Sequence, residues 1–287
     1  MSSQSISREV VPGYIWAIAR PFYRFDRAKI GGRASIIKLS NGDLFVISPT
    51  PIEEGTQKWV DSIGTVKYLV APGIEVPSLF KAICWCEHYI FLKAWKELYP
   101  EAQVIGPQGL DAKITDIKFD FIFTPENLDK TFGDNEIVAH YFPGHKSSEI
   151  AFLHVPSKTL LNADLAENLP ATEQFSQTGV DAASGFWTGL FIKLFSPNNW
   201  VHNFVIWHVF TKDTTYIPFG FWIVLISGRW GRMPRSLASG TLTDWFLVTA
   251  MSWKQVRKSI GMNCTCVFSS NVGCVFPLRI GILLSAS

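Results

Sequence analysis

The tetrapeptide Ser40-Asn41-Gly42-Asp43 stands between two apolar runs, "ASIIKL" and "LFVIS". Asn-Gly supplies the positive φ angles of a tight turn, so residues 34–48 are predicted to form a β-hairpin. Residues 52–63 suit a short helix. "TVKYLVAP" (65–72) reads as a buried strand ending at Pro72, which has no N–H for a sheet ladder. "HYIFLKAWKELYP" (88–100) reads as a helix, with Ile90, Phe91, Ala94, Trp95 and Leu98 on one face and Pro100 at its end. "AQVIGP" (102–107) is a strand again. A hairpin feeding a strand–helix–strand unit points to a layered α/β sandwich.

Further strands are expected at "FDFIFT" and "EIVAHYF". A second hairpin is expected at 149–163, where "EIAFLHV" and "TLLNAD" flank Pro156-Ser157-Lys158. The turn Pro143-Gly144-His145 precedes this hairpin and Asp164 ends it. A His on a turn and an Asp one hairpin later suit metal ligation, and they equally suit the polar ends of a hairpin. His145 can bond to turn backbone, and Asp164 can accept from turn amides. His88 can be a surface residue in the first turn of its helix, and Glu87 an acid favourable at that helix's N-terminus. His154 lies mid-strand between Leu153 and Val155 and reads as a core histidine, as does His140. The sequence has no G-x-S-x-G nucleophile motif, no phosphate loop and no G-x-G-x-x-G.

The 287 residues suffice for one large domain or two small ones. A hydrophobic fraction of 47% against 17% charged argues against general disorder. The net charge of +2 speaks against a nucleic-acid partner, but its distribution is uneven. Residues 1–213 hold 19 basic and 23 acidic residues (−4), whereas 214–287 hold seven basic residues and one acid, Asp244 (+6). Cys84, Cys86, Cys264, Cys266 and Cys274 are odd in number and fall in two clusters, which disfavours a disulfide scaffold. Cys-x-Cys is also not a usual zinc spacing. The N-terminus lacks a basic-then-apolar signal pattern. The apolar runs near 216–227 and 275–285 fall short of the ~20 residues of a membrane helix. A soluble, cytoplasmic protein with no membrane partner is expected.

Taken in order, "FLKAWKELYPEAQVIGPQGL", the Gly-His turn, "SEIAFLHVPSKTLLNADLAENLP" and "EQFSQTG" resemble the metallo-β-lactamase-like hydrolase superfamily. The likeness is nearest to an uncharacterised branch found in bacteria and fungi, and spans about residues 10–213. The resemblance implies a four-layer αββα sandwich of mixed α/β (α+β) class. It further implies zinc held by an H-x-H-x-D-H loop, a Gly-His, a bridging Asp and a final His. Zinc would lower the pKa of a bound water and set it against an ester, thioester or phosphoester. Residue by residue, His145 matches the Gly-His ligand and Asp164 the bridging Asp. His88 sits at the last His of the loop motif, with Glu87 at its Asp. Ala71 and Gly73 stand where the first two histidines belong, and no His follows His208. The donor set is therefore degenerate. Two readings stand: a degenerate metal-dependent hydrolase of an unknown small molecule, and a non-catalytic binding or scaffold protein, which the missing ligands favour; fold alone does not fix function.

Two stretches depart from the family pattern. Removing twelve residues at about 75–86 ("EVPSLFKAICWC") leaves "APGIEHYIFLKAWKELYP", which fits it far better. Residues 214–287 show no clear period, almost no acids, and five of the eleven tryptophans lie between Trp207 and Trp253. Local propensity, pattern and turn chemistry normally agree in a native subdomain, and here they do not. Two accounts are open: an insertion and tail peculiar to one lineage, or translated intron or frame-shifted sequence. The second would leave 214–287 without a compact core of its own.

Overall fold

A computed structural model describes residues 5–74 except 25, residues 88–194 except 146 and 165, and three short strands further on. The first sheet contains β1 (Ile6–Val11), β2 (Ile15–Arg20), β5 (Gly32–Lys38), β6 (Asp43–Ile47), β7 (Thr65–Val70), β8 (Gln103–Pro107) and β9 (Phe121–Phe123), in the spatial order β1-β2-β5-β6-β7-β8-β9. β3 (Tyr23–Arg24) and β4 (Ala28–Lys29) make a separate small ribbon. The expected hairpin forms at β5–β6, with Ser35 opposite Ile47 and Gly42 at φ 88 in the turn. β6 to β9 run parallel. α1 (Thr56–Ile63), α2 (Leu92–Leu98) and α3 (Leu110–Lys113) make the three crossovers between them.

The side chains of the first sheet divide by the two-residue period of a strand. Ile36, Leu44 and Val46 join a core with Val60, Ile63, Leu92, Trp95 and Leu110 from the helices. Ile37, Phe45 and Ile47 point the other way, into a second core with Phe132, Ile137, Ala139, Ile150 and Phe152. β6 is apolar on both faces because both are covered. The partners in the second core come from the second sheet: β10 (Asp129–Phe132), β11 (Ile137–Phe142), β12 (Glu149–His154) and β13 (Thr159–Leu161), extended by β17 (Phe276–Ile280) and β16 (Cys264–Cys266). The hairpin expected at 149–163 is β12–β13, with His154 opposite Thr159. β14 (Ala166–Leu169) pairs in parallel with β15 (Ile223–Ile226). α4 (Thr172–Phe175) packs on β2 and α5 (Phe186–Leu194) on β4. The chain is thus a mixed α/β sandwich of helices, sheet and facing sheet.

Several sequence expectations shift in detail. The helix expected from residue 89 begins at Leu92, after a turn at 88–91. Its buried face is Leu92 and Trp95, whereas Ile90 and Ala94 are exposed. The Trp95 indole N–H donates to the Thr50 carbonyl at 2.7 Å, and this bond sets the face. β1, from Ile6, is the first strand of the sandwich. The stretch 75–86 lies outside the described residues. Of 214–287, three strands are described, and β15 and β17 pair with β14 and β13. Phe221, Trp222, Trp245 and Trp253 lie outside the described residues.

Candidate functional site

Chain ends from both sheets meet at one end of the sandwich. Ser48 follows β6, and its N–H donates to Val70 O at 2.9 Å, at the end of neighbouring β7. The segment 71–74 then crosses to the second sheet. Ile74 N donates to Ser147 O at 2.6 Å and Ile150 N donates to Pro72 O at 2.7 Å. Gly73 fits this crossing because a Cβ there would lie 3.2 Å from Ser147 O and 3.4 Å from Glu149 Oε2. Carboxyl ends of parallel strands are where open α/β sheets place their ligands.

His145 and Ser147 come from the turn between β11 and β12, Glu149 opens β12, and Asp164 follows β13. Asp164 Oδ1 lies 3.1 Å from His88 Nε2, and Asp164 Oδ2 accepts the Ser147 hydroxyl at 2.8 Å. His88 Nδ1 lies 2.5 Å from Ser48 Oγ. A carboxylate only accepts, so His88 presents an N–H to Asp164 at Nε2, and a ring carrying that single proton accepts the Ser48 O–H at Nδ1. Glu149, fully buried, holds the strand end itself: Oε1 accepts from Ala163 N at 2.6 Å and from Asp164 N at 3.1 Å. His145 is also fully buried, and its Nδ1 accepts the Ser147 N–H at 3.2 Å. His88 and Asp164 remain 21% exposed, so solvent reaches the pair.

The three residues expected as zinc ligands therefore gather at one end, His88 directly on Asp164 and His145 one residue removed through Ser147. Sequence reasoning missed Ser48, Ser147 and Glu149. A reader of motifs has only Ser48-Pro49 at a strand end and Glu149 at a strand start to go on. The zinc donor set is incomplete: both Asp164 oxygens are engaged, and no group of three or more His, Cys, Asp or Glu among the described residues is arranged to hold a metal ion. A catalytic zinc ordinarily takes three protein ligands. The described residues alone do not complete such a site.

The other two strand histidines take separate places. His154 is buried at 0% exposure, as expected for a core residue, with Nδ1 2.7 Å from Ser157 Oγ. His140 is buried and bonds Asp129 through Nδ1 at 2.6 Å. No helix among the described residues is long and apolar enough to cross a membrane.

Neither a family model nor a curated protein matches the sequence. Among solved structures, a metallo-β-lactamase from Pontibacter korlensis is similar at 16% identity and TM-score 0.43, over 58% of this chain and 74% of that one. One from Hirschia baltica is similar at 8% identity and TM-score 0.44, over 59% and 75%. A Pseudomonas aeruginosa metallo-β-lactamase in its mono-zinc form follows at 9% and TM-score 0.38, over 57% and 67%. These three similarities are of fold alone, at identities that leave the reaction open.

Proposed function

We propose that this protein hydrolyses a small ester, thioester or phosphoester at the His88–Asp164 pair. The observation that carries this reading is the bond between Asp164 Oδ1 and His88 Nε2, which leaves Nδ1 as a base. A positioned base of this kind contributes about 10²–10⁴ in rate. Asp164 is itself held at its other oxygen by Ser147 and at its backbone by Glu149, so the carboxylate that orients the imidazole has little freedom. Ordered supports of this kind keep a site in working geometry.

The test is turnover of p-nitrophenyl acetate, a thioacetate and p-nitrophenyl phosphate by the full chain, with metal per chain measured on protein purified without added zinc. Turnover of one of the three, lowered at least ~100-fold in His88→Ala and in Asp164→Ala without stoichiometric metal, supports the reading. A folded chain inert toward all three would make the non-catalytic binding protein the better account. Activity that tracks one zinc per chain and fails in His145→Ala would assign His88, His145 and Asp164 as its ligands instead.

A further inference from the structure

We infer that Ser48 is a nucleophile and that the reaction passes through an acyl-serine; this rests on the hydrolytic reading above. Ser48, His88 and Asp164 form a continuous array: hydroxyl to Nδ1 at 2.5 Å, then Nε2 to carboxylate at 3.1 Å. Serine, imidazole and carboxylate in that order have the roles of nucleophile, base and orienting acid, and such arrays are recognised by geometry rather than by sequence position. The two ring nitrogens are used in the sense opposite to that of the serine proteases, with Nδ1 toward the serine. Either nitrogen of a neutral ring can be the base, and the carboxylate decides which.

The backbone supports the assignment. Ser48 has φ 55, in the left-handed region that side chains other than glycine seldom adopt. Such a conformation is disfavoured and persists where its surroundings hold it. Here the N–H is fixed to Val70 O, and Pro49 follows with no N–H to offer. The Ser48 hydroxyl meets the His88 ring at Nδ1. Ser147 lacks this relation, since its hydroxyl is donated to Asp164 and it positions that carboxylate.

The site also selects among the three substrate classes. Asp164 and Glu149 put two carboxylates in the cluster. The charge of the Asp164 carboxylate opposes a phosphoester and leaves uncharged acyl esters and thioesters as the fitting substrates. Ser48 Oγ attacks the acyl carbon while its proton passes to His88 Nδ1. The tetrahedral adduct expels the alcohol or thiol, which takes that proton, and an ester forms on Ser48. Water then adds to this ester with His88 as base, releasing the carboxylic acid and restoring the serine hydroxyl.

The experiment is labelling of the full chain with diisopropyl fluorophosphate, read by intact mass and peptide mapping, beside stopped-flow turnover of p-nitrophenyl acetate. One adduct per chain at Ser48 is expected. It should be absent in Ser48→Ala and form at least ~100-fold more slowly in His88→Gln. Ser48→Cys should be alkylated by iodoacetamide at a rate that again falls in the His88→Gln background, and melting curves show that each variant is folded. Turnover that survives in Ser48→Ala, with no adduct at Ser48, overturns the nucleophile but keeps hydrolysis by a His88-activated water. A folded protein with neither turnover nor adduct overturns both readings, and an adduct at another residue overturns this one.

Discussion

Acid should weaken this fold through His154. The ring is fully buried, its centroid 5.5 Å from that of Tyr14. Ser157 Oγ donates to Thr159 Oγ1 at 2.9 Å, so it accepts from His154 Nδ1–H, which leaves the unprotonated nitrogen at Nε2. Nε2 is buried with no hydrogen-bond partner among the described residues, so a second proton would be placed where none of them accepts it. Burial pushes the His154 pKa from 6.5 down to about 4, against an opposing pull from the Glu136 carboxylate. Between those two values the unfolded chain binds more protons than the folded one, so stability rises with pH across that window. The contribution is therefore fully present above pH ~6.5 and lost progressively as pH falls toward ~4. At 1.36 kcal/mol per pH unit the gap amounts to at most about 3 kcal/mol. Urea unfolding at pH 7.5, 6.5, 5.5 and 4.5 measures it. His154→Asn, whose amide falls near the position of Nδ1, should lose about 2–3 kcal/mol less than the wild type between the two extremes. Other titrating groups cancel in that comparison. Identical pH slopes for the two proteins would refute the reasoning.

Trp95→Phe removes the donor for the buried Thr50 carbonyl, and should cost about 1–3 kcal/mol in urea unfolding. Because Thr50 lies two residues past Ser48, it should also lower kcat for p-nitrophenyl acetate. Glu173→Ala leaves the Arg33 guanidinium buried without the carboxylate it shares with Arg8, which should destabilise by about 3–5 kcal/mol, read from the denaturation midpoint. Gly133→Ala should cost more than about 1 kcal/mol, since Gly133 sits at φ 57 and a Cβ there would meet Leu39 Cδ1 at 2.6 Å.

Much of the sandwich is legible in the sequence because local signals there agree with packing. Asn41-Gly42 announces β5–β6, and Pro72 marks the end of the β7 segment. The β1–β2 hairpin has Pro12-Gly13 at its turn but a weak alternation. Trp16 and Ala17 blur its alternation, because β2 is a central strand with Ile15, Ala17, Ile18 and Ala19 all buried. The face of α2 is misjudged by periodicity alone, because Ile90 and Phe91 belong to a turn ahead of the helix. In the site, His88 and Asp164 come from the family resemblance, and their direct contact follows from the two sheets' strand ends meeting. Ser48 is invisible to a search for G-x-S-x-G: it is 40 residues from His88 and 116 from Asp164, and only the fold brings the three together. Glu149 is likewise unreadable in advance, because its function is to hold amides fourteen and fifteen residues away.

The proposed hydrolysis requires His88 to carry one proton, at Nε2 toward Asp164, with Nδ1 open toward Ser48. Long-range proton–nitrogen correlation NMR on histidine-labelled protein reads this directly, with the His88 signals identified by their loss in His88→Gln. The account predicts the Nε2–H tautomer at neutral pH, and loss of that preference in Asp164→Ala. A ring protonated at Nδ1, or one whose Nε2 is bound to a metal, would contradict it.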